Sequence, residues 1–265
     1  MSEPEIEEAS KRRVTWSLSR QRLVELAVVV FGVMIALGLE NLVQEIRLHG
    51  DARDLEEAFR ADLVAAVGHS WERQVVTPCL TERLSSMAEQ VNTPDGALAA
   101  APGANSGNVI FALPTPYRAP TRLWTTYTFD RALGSEAFKR IPLERADAYA
   151  VLFFQIRTRG EANNDEFLAI AGLAPLAFPQ PDLNAEVRVE LLRTLALLDR
   201  HRGLAAIQAD QFIESALTLP QGDDIRAEIL ESRAALDEQG ALLREQYGDC
   251  VDLGATDRLM ELAGS

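Results

Sequence analysis

The two cysteines, Cys79 and Cys250, carry the most clearly defined chemistry in this chain of 265 residues. In an oxidising compartment two cysteines tend to pair, whereas one pair is too few for a disulfide-rich scaffold. A bridge between them would close a loop of about 170 residues, for which chain entropy gives roughly 4–5 kcal/mol of stabilisation. We therefore predict a Cys79–Cys250 disulfide if this region lies outside the cytoplasm. The alternative is a pair of buried, unpaired thiols.

The three histidines do not have the spacing of a metal site. None of His49, His69 and His201 has a histidine or cysteine three or four residues away. His69 and Glu72 lie one turn apart on a predicted amphipathic helix, which indicates a solvated surface pair. The sequence therefore predicts no bound metal ion and no cofactor.

Motifs for nucleophilic catalysis and phosphate binding are also missing. The chain contains neither Gly-x-Ser-x-Gly nor Gly-x-x-x-x-Gly-Lys. Ser135 and Lys139 are four residues apart, not the three of a Ser-x-x-Lys pair, and the adjacent Asp223 and Asp224 suit helix capping. We assign no catalytic residue and predict that the protein is not an enzyme. The alternative is a membrane-tethered hydrolase whose site is assembled only by the fold.

Composition and charge exclude some classes of protein. Lys and Arg together number 26 against 40 Asp and Glu, a formal net charge of −14. A protein that follows nucleic-acid phosphates needs a basic surface, so this balance argues against a nucleic-acid partner. With 47% hydrophobic residues, the chain has the composition of a folded protein.

An apolar segment near the N-terminus predicts a transmembrane helix. Leu26–Leu39 contains no charged residue, and the longer stretch 23–43 would be about 31 Å long as a helix, enough for a hydrocarbon core of about 30 Å. Glu25 and Glu40 fall within about one turn of its ends, where they can reach headgroups or water. The lipid bilayer is therefore the first predicted partner.

Two alternatives compete for this segment. Residues 26–39 could form the core helix of a soluble cytoplasmic protein, which would leave the cysteines reduced. The small-x-small triplet Ala36-Leu37-Gly38 could instead mark a cleaved signal peptide. The acidic residues before the segment and the helical pattern after it argue against cleavage.

Basic residues near the segment predict its orientation, because the cytoplasmic side carries the excess of Lys and Arg. Five precede it, Lys11, Arg12, Arg13, Arg20 and Arg22, and three follow over a similar distance, Arg47, Arg53 and Arg60. We therefore predict a cytoplasmic tail at 1–22, a span at 23–43 and an extracytoplasmic domain at 44–265. In a bacterial cell this is a single-pass inner-membrane protein with a periplasmic domain.

Polar and small residues form a stripe along the span. Gln21, Glu25, Gly32, Ala36 and Glu40 share one side of a helix with 3.6 residues per turn. Gly32 and Ala36 form a small-x-x-x-small pair, which allows two helix backbones to approach closely. The stripe predicts a helix–helix contact, in a homodimer or with another membrane protein.

The remainder of the chain predicts an all-α fold. Apolar residues recur at three-, four- and seven-residue steps, and no run alternates with period two for long enough to build a sheet. The span is predicted to continue into an extracytoplasmic helical bundle, interrupted by a loop rich in Pro, Gly and Ala at about 93–122. Within that loop, 109–111 are apolar enough to dock on the core.

Proline and glycine predict breaks within these helices. Pro78 is expected to interrupt or kink the first long helix. Gly134 is a predicted helix end. Gly160 or the Asn163-Asn164 pair is expected to interrupt the next helix, and Gly203 is expected to kink the helix that follows.

The segment Gly32–Leu37, followed by Glu40-Asn41, resembles a group of uncharacterised bacterial single-span membrane proteins with a Gly-Val-x-Ile-Ala-Leu span. In that group an Asn and Trp pair follows the span, and a later Trp and Gly lie in a helical extracytoplasmic region. Trp124 and Gly134 match the later pair, whereas Leu42-Val43 stands where the first Trp is expected. The resemblance implies a membrane anchor and a helical domain, and it carries no catalytic residues.

An anchor, a helix-pairing stripe and no catalytic motif together favour an interaction or sensory module. A ligand-sensing module predicts a pocket between the helices, whereas a scaffold predicts an exposed apolar patch.

Overall fold

The computed structural model describes residues 4–93, 116–179, 183–219 and 222–265, with side chains from residue 22 onward. Its α-helices are α1 (Pro4–Asn92), α2 (Tyr127–Ala132), α3 (Leu143–Ile170), α4 (Ala185–Thr218), α5 (Gly222–Glu231), α6 (Arg233–Tyr247) and α7 (Gly254–Gly264). Two 3₁₀ helices, Phe138–Arg140 and Ala171–Ala177, connect them. No strand occurs among these residues, so the predicted all-α class is confirmed. The apolar 109–111 segment lies outside the described residues.

The chain divides into two compact units, Met1–Asp54 and Leu55–Ser265. In the first unit, every residue of Leu26–Leu39 is exposed on α1, and this is the one helix among the described residues that is long and apolar enough to cross a membrane. A core helix would instead be buried. The described residues therefore do not place 26–39 in a protein core, as the soluble alternative requires.

The second unit has an aromatic core centred on Phe59 of α1. Its ring lies 5.1 Å from the ring of Tyr149 and 5.3 Å from that of Phe153, both on α3. Phe129 of α2 stacks on Phe153 with a centroid distance of 4.6 Å. Edge and stacked contacts of this kind hold α1, α2 and α3 together. Helix α4 then packs along α3, and α5 packs against α4 and α7.

The predicted break at Gly160 or the Asn163-Asn164 pair is wrong, and neither Pro78 nor Gly203 ends its helix. Helix α1 continues through Pro78 to Asn92, α3 through Gly160 and the Asn pair to Ile170, and α4 through Gly203 to Thr218. Pro78 removes one backbone donor, but Val75, Val76 and Leu80 around it are buried, and this packing keeps the helix intact. Gly160 serves close packing, because a Cβ there would lie 3.2 Å from Cβ of Trp124.

The helix end predicted at Gly134 is confirmed. Helix α2 ends at Ala132, and Gly134 has φ = 83°, which favours glycine.

Helix α5 begins at Gly222, so Asp223 and Asp224 lie in its first turn instead of at the N-cap position. Acidic residues in a first turn still stabilise a helix through its dipole.

The chain after α6 returns to α1. Cys79 and Cys250 form a disulfide with a Cα–Cα distance of 4.9 Å, as predicted from the sequence. Next to it, the backbone N–H of Asp252 donates to the carbonyl of Val75 at 2.9 Å. Helix α7 follows, and Thr256 at its start accepts a hydrogen bond from Nε1 of buried Trp71 at 3.2 Å. The bridge therefore fixes the C-terminal segment to the middle of the unit.

Candidate functional site

A group of charged side chains lies inside the second unit. Four charged side chains are buried among the residues that the structure describes, namely Glu72, Arg73, Arg159 and Glu166. The first two are on α1 and the other two on α3. Burial of an ionised group is costly unless it is paired, so the partners of each decide what the cluster can do.

Arg73 and Glu166 form a bidentate ion pair. The two terminal nitrogens of Arg73 donate to the two carboxylate oxygens of Glu166 at 2.7 and 2.8 Å. The hydroxyl of buried Tyr117 also donates to Glu166, at 3.0 Å. Burial raises the pKa of Tyr117 well above its ordinary value, and the negative charge of Glu166 raises it further. Tyr117 is therefore a neutral donor at physiological pH, and both carboxylate oxygens of Glu166 accept hydrogen bonds.

Glu72 is paired with Arg122, which precedes α2. Nε and one terminal nitrogen of Arg122 donate to its two oxygens at 2.5 and 2.6 Å. Only 3% of the surface of Glu72 is exposed. The prediction that His69 and Glu72 form a solvated surface pair is therefore wrong. Arg122 lies fifty positions away in sequence, and it neutralises the carboxylate and makes its burial possible.

Arg159 differs from the other buried charges, because no carboxylate among the described residues forms an ion pair with it. One of its terminal nitrogens donates to the hydroxyl of Ser70, which in turn donates to the carbonyl of Ala66 at 2.6 Å. Its guanidinium lies over the ring of Trp124, 4.2 Å from the centroid, and 5.6 Å from that of Phe212. Burial, with a smaller contribution from nearby Arg73, lowers the pKa of Arg159 to about 9. Arg159 is thus a cation at neutral pH.

A small cleft opens beside these residues. Its volume is about 360 Å³, including the part open to solvent. The polar residues that line it are His69, Arg73, Arg122, Arg159, Asn163, Glu166 and Gln208. Two buried polar atoms of lining residues have no hydrogen-bond partner, Nε of Arg73 and Oε1 of Gln208. Much of this volume is open solvent, and the enclosed part has room for a water molecule or a single small acidic group.

His69 lies at the edge of this cleft, with its ring 5.3 Å from that of Trp124. Burial lowers its pKa below the ordinary value, and the positive charges of Arg122 and Arg159 lower it further, against the opposing effect of Glu72. His69 is therefore neutral at physiological pH. It contributes a hydrogen-bonding ring and no charge.

This arrangement is suited to binding. Each of the two carboxylates is held by a guanidinium through both of its oxygens, so neither is free to act as a general base. Within the described parts of the chain, no group of three or more His, Cys, Asp or Glu side chains could hold a metal ion.

The predicted contact residues of the span, Glu25, Gly32, Ala36 and Glu40, are all exposed on α1. A Cβ added to Gly32 would meet nothing within 4 Å. These residues are outside the unit that contains the cleft, and the described chain provides no contact for their stripe.

The sequence analysis missed the buried cluster, although α3 carries a signal of it. Ile156, Arg159 and Glu166 recur at steps of three and seven, so they share one helical face. In the first half of α3 this face consists of buried apolar residues. Charged residues further along the same face are therefore expected to be buried as well. No comparable signal identifies the partners, which are distant in sequence.

Comparisons of the chain with protein-family models, with curated proteins and with solved structures find no match. The functional inference therefore rests on the sequence and the structure of this chain.

Proposed function

We propose that this protein is a membrane-anchored helical module whose extracytoplasmic domain senses or binds a ligand. The main support for a membrane anchor is that the segment Leu26–Leu39 is uncharged and exposed along its whole length. A continuous exposed apolar surface of this length is unfavourable in water, and lipid is the solvent that suits it. The span extends over 23–43.

The proposed orientation places residues 1–22 in the cytoplasm and 44–265 in the periplasm of a bacterial cell. Two independent features support it. More basic residues precede the span than follow it. The second unit also contains the Cys79–Cys250 disulfide, a bond that persists in oxidising compartments and is rare in the cytoplasm.

Self-association through the span is the second part of the proposal. The stripe of Glu25, Gly32, Ala36 and Glu40 is exposed in the single chain, and polar side chains facing lipid are unfavourable. A second copy of the helix would cover the stripe and let Gly32 and Ala36 approach its backbone closely. Another membrane protein with a matching stripe is the alternative partner.

Binding is favoured over catalysis by the state of the buried carboxylates, both neutralised by arginine. The cleft is the element that favours a sensory module over a scaffold. A hydrolase that works by covalent catalysis would require a serine, threonine or cysteine beside the neutral imidazole of His69, and none is among the described residues that line the cleft.

Carbonate extraction of membranes tests the anchor. We expect the parent protein to remain in the pellet. The double variant Val30→Lys with Met34→Lys places two charges near the middle of the span, which costs about 5–7 kcal/mol of insertion free energy. This variant should move to the supernatant.

The double variant Leu123→Lys with Leu143→Lys is the matched control, because it adds the same two charges at side chains that are 85% and 76% exposed in the second unit. It should stay in the pellet with the parent. A parent protein that is fully extracted by carbonate would contradict the anchor.

A further inference from the structure

The charge balance at the cleft is uneven. Three guanidiniums, those of Arg73, Arg122 and Arg159, are opposed by the two carboxylates of Glu72 and Glu166. Both carboxylates are already held bidentately by Arg73 and Arg122, so one positive charge, on Arg159, has no counter-ion among the described residues. A buried guanidinium stays protonated, so this charge calls for an anion.

The surroundings of Arg159 hold its guanidinium in place without neutralising it. Trp124 and Phe212 cover it with their rings, and Ser70 accepts from one terminal nitrogen. Aromatic rings fix the plane of a guanidinium and leave its remaining N–H groups directed along that plane. This is the geometry in which arginine binds the two oxygens of a carboxylate or phosphate.

Unsatisfied polar atoms give a second, independent indication of a ligand. Nε of Arg73 is a buried donor without a partner, and the amide of Gln208 has a buried oxygen without one. A half-turn about the last side-chain bond would present the amide NH₂ of Gln208 in place of that oxygen. Buried polar groups are nearly always hydrogen-bonded, so the orphan donor of Arg73 indicates a missing acceptor, whereas the amide of Gln208 can bind the same acceptor only after this rotation.

We propose that this cleft binds one small anion, a carboxylate or phosphate group of a small molecule, with Arg159 as its counter-ion. Arg73, Gln208 and Asn163 are the further polar contacts, and His69 and Trp124 form the wall. The cleft is too small for a polymer, and the net charge of −14 disfavours nonspecific attraction of anions. Binding therefore depends on this local site.

The anion site names the kind of ligand that the proposed sensory module would bind, and its role in the cell rests on that proposed function. The site itself is independent of the membrane, because every residue that lines it belongs to the unit Leu55–Ser265. The two proposals can therefore fail separately.

Isothermal titration of the full-length protein in detergent micelles tests the site. Sodium phosphate and sodium acetate are titrated in separate arms, each at constant ionic strength with sodium chloride as the balancing salt. We expect saturable binding of one anion per chain in at least one arm, and the arm that binds identifies the acidic group. Absence of saturable binding in both arms would overturn the proposal.

Two variants locate the binding. Arg159→Gln should weaken the affinity by about tenfold or more, because it removes the one buried charge at the cleft that has no counter-ion among the described residues. Gln208→Glu keeps the size of the side chain and adds a carboxylate at the cleft, so it should also abolish binding. If Arg159→Gln loses binding only because it misfolds, Gln208→Glu still tests the site at a different residue.

Arg233→Gln is the control, because Arg233 is exposed and pairs with Asp237 and Asp257, and none of the three lines the cleft. It should bind as the parent does. Equal binding by the parent and Arg159→Gln would overturn the assignment to Arg159. A protein that binds the anion but is extracted by carbonate would retain the site and lose the anchor.

Discussion

Glu166→Gln is expected to destabilise the second unit by about 3–5 kcal/mol. The substitution keeps the size of the side chain and removes its charge. Arg73, which is only 5% exposed, would then lose its counter-ion while Arg159 remains nearby with none. The hydroxyl of Tyr117 would also lose a charged acceptor. Urea unfolding of the full-length protein in detergent, followed by far-ultraviolet circular dichroism, measures the loss.

Asp223→Asn is the matched control for Glu166→Gln. It removes one carboxylate from an ion pair with Arg226, but its side chain is 84% exposed. Exposed pairs contribute little, so the expected change is less than about 1 kcal/mol. Combining Glu166→Gln with Arg73→Met should recover part of the lost stability, since removing both charges ends the uncompensated burial. A cost below about 1 kcal/mol for Glu166→Gln alone would contradict the buried ion pair.

Loss of the Cys79–Cys250 bridge is expected to cost about 2–5 kcal/mol of unfolding free energy. The bridge joins positions 171 residues apart, so reduction gives the unfolded chain much more conformational freedom. The measurement is the urea midpoint of the parent protein with and without a thiol reductant. The hydrogen bonds of Asp252 and Thr256 to the region of α1 near Cys79 remain after reduction and limit local fraying.

The double variant Cys79→Ser with Cys250→Ser separates the bridge from other effects of the reductant. Its midpoint should match that of the reduced parent and should not respond to reductant. A parent whose midpoint is the same in both conditions would contradict a stabilising role for the bridge.

Local patterns in the sequence were sufficient for the helical class, the exposed apolar segment and the cysteine pair. Helical periodicity and the absence of period-two alternation depend on neighbouring residues alone. The pairing of Cys79 with Cys250 needed only the cysteine count and the assumption of an oxidising compartment. The helix end at Gly134 likewise follows from the conformational freedom of one residue.

The buried cluster could not be predicted, because its partners are distant in sequence. Arg73 and Glu166 are 93 positions apart, and only the packing of α1 against α3 brings them together. Glu72 has the sequence environment of a surface acid and becomes buried because Arg122 reaches it. The continuation of α1 through Pro78 has the same origin, since tertiary packing outweighs the loss of one backbone hydrogen bond.

Cysteine accessibility in intact spheroplasts tests the proposed topology most directly. Ser265→Cys places a thiol at the exposed C-terminus, and Ser10→Cys places one before the span. Each variant is treated with a membrane-impermeant maleimide mass tag and run on a denaturing gel, before and after lysis. The native cysteines are joined to each other and should not react.

An extracytoplasmic helical domain predicts one tag on Ser265→Cys in intact spheroplasts and a tag on Ser10→Cys only after lysis. Tagging of Ser265→Cys only after lysis would contradict the account, because it would place the cleft, the disulfide and the whole second unit in the cytoplasm.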